Sequence, residues 1–371
     1  YWGLPLGSLQ PGQTQSRYVF ARGTDTWIPA FAGMTGQLKM VLLALSLALS
    51  ACGKEVQLEP AQPLKASTAQ LATIPNLAPG PFKVRKGEPV QWHISEQDLR
   101  LRVVAPEGPG PFPLVIFSHG NWSDITKYDA LLEHWASHGY LILAPYHADG
   151  GGAPRGIFNS LRKGNEGLIA ARVADVKLVL DHLAEVDALE AGLAARIDRS
   201  RIAVAGHSFG AFTAQQMGGA ATVNPKTGVR VEGRDARVRA VLAISPPGPM
   251  FKIINEQSWL NVDVPMLVTT GTWDVNKQFW PDWREHTLSF NTAKPGLNWL
   301  LVVQGADHYL GNLICRPERE QPPQPDALRM VNATAVTFLN AHLRDDLGAR
   351  AWLDAAELEN LTGGFARLSH R

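Results

Sequence analysis

The sequence predicts a doubly wound α/β fold, with a mostly parallel sheet flanked by helices. From about residue 82 onwards, short apolar runs alternate with amphipathic stretches, which is the order strand, helix, strand, helix. The runs are almost continuously apolar, as expected for strands that are covered on both faces. No internal repeat, second domain boundary or large inserted cap interrupts this pattern. We therefore expect one domain over residues 82–346.

Eight short apolar runs bounded by Gly, Pro or polar turns are strand candidates. The first two are expected to form an antiparallel pair, and the other six are expected to be buried. In chain order they are Val90–Ile94, Leu99–Ala105, Pro113–Ser118, Tyr140–Pro145, Arg201–Gly206, Val238–Ser245, Pro265–Thr270 and Asn298–Gln304.

Three stretches carry apolar residues at three- and four-residue spacing, which places one apolar stripe on each helix. They are Thr126–Ser137, Gly167–Glu185 and Asp326–Leu343. The long connection from Gln215 to Arg237 is polar and contains glycine, which favours a surface excursion. Residues 347–371 are expected to form a C-terminal extension.

Composition excludes several classes of function. The 371 residues are 45% hydrophobic, enough for a large core, and their net charge is +1, from 35 basic and 34 acidic residues. Such a balance gives no footprint for nucleic acid. The two cysteines, Cys52 and Cys315, define neither a disulfide framework nor a zinc site. We expect no metal and no cofactor, and a packing role for Cys315.

Residues 34–51 are expected to be a lipoprotein signal peptide. From Met40 the chain reads MVLLALSLALSACGK, a short apolar run that comes after a lysine and ends in small residues. The run is too short to span a membrane, which takes about 20 apolar residues. Leu49-Ser50-Ala51-Cys52 resembles the bacterial lipobox, which implies cleavage before Cys52 and lipidation of its thiol. An ordinary signal peptide that contains a cysteine is the alternative.

The segments around this signal have no predicted fold of their own. Gly53 rather than Asp comes after the cysteine, so we expect an anchor in the outer membrane of a bacterial envelope, facing the periplasm. Residues 1–33 lack hydrophobic periodicity and are expected to be a non-native upstream extension. Residues 52–81 are rich in Pro, Ala, Gln and Leu, which favours a flexible tether.

The stretch AVAGHSFGAF, residues 203–212, places Ser208 between two glycines. G-x-S-x-G is the pattern of a nucleophile elbow, a strained strand-to-helix turn that exposes the serine hydroxyl. The bare pattern is weak, but here a strand candidate precedes it and a helix candidate comes after it. We therefore expect Ser208 to be a nucleophile, with a glycine-flanked turn serine as the alternative.

Two residues complete a catalytic triad in the chain order Ser, acid, His. Asp274 comes after the strand candidate 265–270 and His308 after the strand candidate 298–304, so both are expected at the carboxyl edge of the sheet. Asp274 would orient the imidazole of His308, which takes the proton from Ser208 and returns it to the leaving group. Either residue alone is typical of a solvated loop. Their order and positions together favour the triad.

An oxyanion hole is expected from two backbone N–H groups. One belongs to Phe209, directly after the nucleophile. The other belongs to the loop Ser118-His119-Gly120-Asn121-Trp122, which comes after a strand candidate. We assign it to Asn121, with Trp122 as the alternative and a plain tight turn as the competing interpretation.

Several segments together resemble one family. VIFSHGN, APYHADGG, RVADVKLVLDHL, GHSFGA, GTWD and GADHY, within roughly residues 85–345, look like the plasma-type platelet-activating-factor acetylhydrolase and dienelactone-hydrolase-like group. The resemblance implies an α/β-hydrolase fold and ester hydrolysis without metal or organic cofactor. A serine at position 208 departs from the cysteine of true dienelactone hydrolases, which disfavours a dienelactone substrate. The resemblance gives catalytic roles to Ser208, Asp274 and His308, and oxyanion-hole roles to Asn121 and Phe209.

His147 and Asp149, in the HADGGG loop, are the type of residue that binds metals, but they lack partners. A structural or pocket-rim role is favoured for both. The segment TWDVNKQFWPDW, residues 272–283, carries four aromatics directly around and after Asp274, and core packing is the alternative for part of them. The expected substrate-binding residues are Trp122, His207, Trp273, Phe279 and Trp280.

These expectations predict a serine carboxylic-ester hydrolase that forms an acyl-enzyme, on short-chain or aromatic esters. A lipase, a phospholipid acyl hydrolase or a polyester hydrolase is the alternative within hydrolysis. From a different class, a catalytically silent envelope binding protein would retain the fold. The sequence leaves the oligomeric state open, and also whether residues 272–283 form a lid.

Overall fold

The computed structural model describes residues 58–94, 97–249, 251–317 and 322–371. The chain divides into two units, Tyr1–Gly53 and Lys54–Arg371, and the described residues belong to the second. The predicted upstream extension, the signal peptide and Cys52 lie outside the described residues. In the described ranges, no helix combines the length and the apolar character needed to cross a membrane.

A ten-stranded sheet forms the centre of the domain, in the order β1-β3-β5-β4-β6-β9-β10-β11-β12, with β2 paired to β3. The six strands from β5 to β11 along this order are parallel, whereas β1, β2, β3 and β12 pair antiparallel. Strands β7 and β8 form a separate hairpin. The strands are β1 Val84–Lys86, β2 Val90–Ile94, β3 Gln97–Pro106, β4 Phe112–Ser118, β5 Leu141–Tyr146, β6 Ile197–His207, β7 Ala221–Val223, β8 Arg230–Glu232, β9 Val238–Ile244, β10 Met266–Trp273, β11 Asn298–Asp307 and β12 Ala366–His370.

Helices cover both faces of the sheet. The helices are α1 Thr68–Ala72, α2 Asp129–Ser137, α3 Ala153–Asp181, α4 Phe209–Met217, α5 Leu288–Thr292, α6 Pro325–Leu343, α7 Leu347–Ala355 and α8 Leu358–Leu361. Helices α3 and α4 contribute to the apolar cluster on one face, and α2 and α6 to the cluster on the other. Short 3-10 segments lie at Ile125–Tyr128, Val186–Ala188, Ala194–Arg196, Glu256–Trp259 and Trp283–Thr287. This is the α/β-hydrolase fold that the sequence predicts.

Strand β4 shows why the central strands are continuously apolar. All seven of its residues are buried. Because neighbouring side chains of a strand point to opposite faces, Leu114 and Ile116 join one cluster while Val115 and Phe117 join the other. Each such side chain stabilises the fold by about 1.5–3 kcal/mol when it leaves water. A polar residue at any of these positions would lose that contribution.

The structure adds elements that the sequence pattern does not predict. Within the predicted C-terminal extension, β12 pairs with β11 and closes that edge of the sheet. The connection 215–237 holds the β7–β8 hairpin rather than an irregular loop. Helix α3 begins at Ala153 rather than at Gly167, with a break at Gly164 (φ 69°). The pattern misses its first part because large apolar side chains there are exposed and form no core stripe: Ile157, Phe158 and Leu161.

From residue 58 onwards the predicted tether lies against the domain. The Trp273 Nε1–H donates to the backbone oxygen of Glu59 at 2.7 Å. The Lys65 N–H donates to the backbone oxygen of Thr362, and the Asn76 side chain donates to Thr337. Apolar residues of this segment pack on the core, which composition alone does not reveal: Leu64, Leu71, Ile74 and Leu77.

Candidate active site

Ser208 occupies the sharp turn between β6 and α4. Its backbone has φ 55° and ψ −124°, an unfavourable conformation for a residue with a side chain. The flanking glycines allow backbones to approach closely. A Cβ on Gly210 would lie 2.0 Å from the Ser118 backbone oxygen, and one on Gly206 would lie 2.2 Å from the Gly210 oxygen. The local geometry is that of the predicted nucleophile elbow.

The structure brings the three predicted triad residues together. The His308 Nε2 lies 2.9 Å from the Ser208 Oγ, and the His308 Nδ1 lies 2.7 Å from the Asp274 Oδ1. The Thr270 hydroxyl donates to the Asp274 Oδ2 at 3.0 Å. Asp274 lies just beyond β10 and His308 just beyond β11, so both reach the carboxyl edge of the sheet beside Ser208. Asp307, the sequence neighbour of His308, instead accepts N–H groups of its own turn with its carboxylate.

Asp274 carries a negative charge in a fully buried position. Burial alone would raise the pKa of this carboxyl, but the adjacent imidazoles of His286 and His308 hold it well below its usual range. The His286 Nε2 lies 3.0 Å from the same Oδ1 that His308 contacts. One carboxylate oxygen therefore faces two histidine rings.

Two backbone N–H groups remain available for an oxyanion. In the described part of the chain, neither the Asn121 N–H nor the Phe209 N–H donates to a backbone acceptor. The Asn121 and Trp122 carbonyl oxygens accept from the guanidinium of Arg316 at 2.8 and 3.2 Å, which fixes this loop from outside. Trp122 has φ 59°, so the turn here is tight. The arrangement suits the two donors predicted from the sequence.

A buried ion pair lies beneath the oxyanion loop. The Arg172 guanidinium donates to both carboxylate oxygens of Asp149, at 3.0 and 2.7 Å. It also donates to the His119 backbone oxygen at 2.6 Å, and its Cζ lies 4.8 Å from the centre of the Phe209 ring. Arg172 thus contacts both segments that carry the expected oxyanion donors. A buried charge that is paired and fully hydrogen-bonded is costly to move, which stiffens this part of the site.

A second hydrogen-bonded series of Ser, His and Asp side chains lies in the same buried region, beneath the loop of residues 118–122. The Ser118 Oγ is 2.8 Å from the His147 Nε2, and the His147 Nδ1 is 2.8 Å from the Asp175 Oδ2. Ser118 is fully buried, so an ester cannot reach it. Burial lowers the pKa of His147 well below its usual range and raises the pKa of Asp175 to about 7. His147 and Asp149 therefore serve this internal network, in line with the structural role expected for them.

The predicted substrate-binding aromatics fall into different places. Trp280 stacks on the His308 ring, with 5.2 Å between centroids, and Phe279 is 45% exposed at the rim. The Trp122 Nε1–H donates to Ser160 on α3. Trp273 is covered by the segment at Glu59.

The prediction for His207 needs a correction. His207 is fully buried, and its ring nitrogens contact the His308 backbone oxygen at 2.8 Å and the Tyr128 hydroxyl at 3.1 Å. It supports the loop that carries His308 and does not line a pocket. Consecutive side chains of a strand point to opposite sides, so the side chain of His207 lies on the far side of the turn from that of Ser208. The pattern of residue types does not show this.

Sequence reasoning misses two buried, charge-bearing side chains near the candidate site. Arg172 lies in the segment RVADVK, but no spacing rule connects it to Asp149. His286 lies in the 3-10 segment Trp283–Thr287, which comes well after the end of β10 in the chain. Its contact with Asp274 arises only when the chain folds back across the end of β10.

Comparison with known proteins gives a partial likeness. A family model described as Chlorophyllase matches residues 80–224. Chlorophyllase-1 from Arabidopsis thaliana is 34% identical over 58 residues, which is 16% of this chain and 18% of that protein. The chain thus spans about a fifth of the curated relative. The family match includes the oxyanion loop and Ser208 but ends before Asp274 and His308. The resemblance to the platelet-activating-factor acetylhydrolase group stays a prediction.

The close approach at the elbow predicts that Gly210→Ala will fail to fold normally. Its new Cβ would meet the backbone oxygen of Ser118 at 2.0 Å, and backbone cannot give way as a flexible side chain does. We expect a loss of at least about 3 kcal/mol in the free energy of unfolding, or insoluble protein. Gly167→Ala is the control, because its Cβ meets only the Lys163 Cβ, at 3.4 Å, and alanine favours helix. Equal urea midpoints for the two variants would contradict the packing argument.

The raised pKa of Asp175 predicts a pH-dependent difference in stability. The folded protein keeps the Asp175 proton up to about pH 7, whereas the unfolded chain loses it near its ordinary value of 3.8. Rising pH between these values therefore destabilises the fold through this group. The Asp175→Asn variant has no such proton to lose. Its free energy of unfolding, relative to that of wild type, should therefore be higher at pH 8 than at pH 4 by on the order of 1–3 kcal/mol.

Urea unfolding at several pH values measures this difference. Asp181→Asn on the same helix is the control, because Asp181 is 56% exposed and pairs with Arg237 at the surface. Its stability should match wild type at every pH. Parallel curves for Asp175→Asn and wild type would refute the prediction.

Proposed function

We propose that this protein is a serine carboxylic-ester hydrolase. The observation that carries the proposal is the hydrogen-bonded chain from Ser208 through His308 to Asp274, at 2.9 and 2.7 Å. It ends in a serine on a strained elbow, which is the arrangement of a nucleophile with its base and orienting acid. The partial match to chlorophyllase, a family of carboxylic-ester hydrolases, supports the same reaction class.

In the proposed reaction, the Ser208 Oγ attacks the ester carbonyl while the His308 Nε2 takes its proton. The new bond between Oγ and the carbonyl carbon gives a tetrahedral oxyanion, which the Asn121 and Phe209 N–H groups stabilise. The alcohol leaves with the proton from His308, and a water activated by the same imidazole then hydrolyses the acyl-enzyme. Asp274 fixes the tautomer of His308 and stabilises the imidazolium.

Short-chain or aromatic esters are the proposed substrates. Trp280 stacked on His308 and Phe279 at the rim offer aromatic surface next to the reacting atoms. A lipase, a phospholipid acyl hydrolase and a polyester hydrolase would show the same triad with other substrate preferences. The name of the chlorophyllase family adds chlorophyll to the esters worth testing. A silent binding protein would turn over none of them.

A fluorophosphonate probe tests the nucleophile directly. We expect it to label the folded wild-type protein and the Ser118→Ala variant, and not Ser208→Ala, because Ser118 is fully buried while Ser208 is 7% exposed at the elbow. Ser208→Ala should also lower kcat on p-nitrophenyl acetate by about 10⁴-fold or more. Unlabelled folded wild type would support the silent binding protein. A panel of p-nitrophenyl esters of rising chain length, with phospholipid, polyester and chlorophyll, then separates the substrate classes.

We further propose that Cys52 carries a lipid that anchors the protein in the outer membrane, facing the periplasm. The support is the lipobox-like Leu49-Ser50-Ala51-Cys52 after a short apolar run. Labelled palmitate, fed to expressing bacteria, should enter wild type and the Cys315→Ala variant but not Cys52→Ala. Cys315 is the matched control because its thiol is buried in the core. Label in Cys52→Ala would overturn the assignment.

A further inference from the structure

His286 contacts the same carboxylate oxygen of the proposed catalytic acid as His308 does. Its Nε2 lies 3.0 Å from the Asp274 Oδ1, and both side chains are fully buried. The other ring nitrogen, Nδ1, lies 2.7 Å from the backbone oxygen of Pro246. The Trp280 ring lies 4.9 Å from the His286 ring and 5.2 Å from the His308 ring, between centroids, so it shields both from water.

The contacts of His286 indicate its protonation state. A carbonyl oxygen only accepts, so the Nδ1 that faces Pro246 must carry a hydrogen. An ionised carboxylate also only accepts, and its Oδ1 lies 3.0 Å from Nε2, so a neutral ring would place an unprotonated nitrogen beside the negative charge of Asp274. Beside this carboxylate, an imidazolium with hydrogens on both nitrogens is therefore favoured over the neutral ring. The angles of the contact between Nε2 and Asp274 are outside the range of a hydrogen bond. The attraction is therefore that of an ion pair rather than of a directional hydrogen bond.

A metal ion is the other way to join these groups. One nitrogen or oxygen from each of Asp274, His286 and His308 lies within 4.8 Å of the others. However, His308 and His286 approach the carboxylate at 2.7 and 3.0 Å. Ligands around a tetrahedral zinc, with bonds of about 2.0 Å, lie roughly 3.3 Å apart. The distances are those of direct hydrogen-bond and ion-pair contacts, with His308 engaged by both Asp274 and Ser208.

The charges around His286 favour the imidazolium. They are Asp274 from the end of β10 and Glu285 on its own segment, while the third titratable neighbour, His308 from the end of β11, contributes no negative charge. Burial alone would lower the pKa of His286, but Asp274, the Pro246 oxygen and Glu285 raise it. A raised folded-state pKa means that this stabilisation is complete below the ordinary value of 6.5 and is lost as pH rises through the folded value.

We propose that His286 is a positioning residue that stays protonated against Asp274 and thereby sets the pH at which His308 becomes a working base. Asp274 attracts a proton to His308, and the positive charge on His286 offsets part of that attraction. Removal of the His286 charge should therefore raise the pH that is needed before His308 accepts the Ser208 proton. This inference rests on the proposed esterase function.

The variant His286→Gln tests the charge, because glutamine keeps an N–H donor and removes the positive charge. The acidic limb of kcat/KM against pH reports the essential base of the free enzyme. With 5.7 Å between the His286 and His308 ring centroids, we expect the limb to move to higher pH by about one to two units, for an effective dielectric constant of about 20. An unmoved limb in a folded, active variant would overturn the proposal.

His342→Gln is the matched control. His342 is also buried, but burial lowers its pKa to about 4, so it is neutral at pH 7, and it packs against Trp299 and Phe338 away from the site. The limb should stay in place in this variant. A purely structural role for His286 would reduce the amount of folded protein without moving the limb.

Nitrogen-15 NMR of the wild-type protein gives a second readout that needs neither activity nor a variant that folds. At pH 7, the His286 signals should show hydrogens on both ring nitrogens, and a chelator should leave them unchanged. A neutral ring, or signals that change with the chelator, would overturn the proposal. A protonated His286 in a protein that hydrolyses no ester would instead refute the proposed function and leave the His286 assignment standing.

Discussion

The close contact between the nucleophile elbow and strand β4 is the constraint on which the site depends. Gly210, in the first turn of α4, lies against the backbone of Ser118, where any Cβ would overlap the carbonyl oxygen. This contact fixes how near α4 comes to the oxyanion loop, because that loop begins directly after Ser118. The separation between the Phe209 and Asn121 N–H groups therefore depends on backbone packing rather than on side chains. Preorganised donors of this kind need little reorganisation during a reaction.

Buried, paired charges pack against the nucleophile elbow and the loop after Ser118. Arg172 joins Asp149, the oxyanion loop and the Phe209 ring, while His147 connects Ser118 to Asp175. Fixed dipoles and paired charges act strongly where water is absent, and a displaced partner would leave a buried group unsatisfied. The layer beneath the site is consequently rigid for electrostatic reasons, whereas the rim near Phe279 is open to solvent.

Features that depend on order along the chain are predictable from the sequence, whereas contacts that form across the fold are not. The three triad residues each lie just beyond an apolar strand, and parallel strands end at one edge, so their meeting is predictable. All eight predicted strands are present for the same reason. By contrast, the pairing of Arg172 with Asp149 depends on how α3 crosses the sheet. No sequence pattern predicts the hydrogen bond between Trp273 and the backbone of Glu59. For His207, adjacency in sequence predicts proximity to the nucleophile but not the side of the turn.

In the proposed mechanism, the negative charge of Asp274 has two opposing effects on His308: it orients the ring, and it attracts a proton to it. A carboxylate strong enough to hold His308 in one tautomer also makes that imidazole retain its proton. Thr270 and His286 each take part of the carboxylate's negative charge while leaving the His308 contact short. Under the role proposed for His286, the acid would orient the base strongly while the added positive charge weakens the attraction of a proton, because orientation depends on the nearest oxygen and attraction on the total surrounding charge.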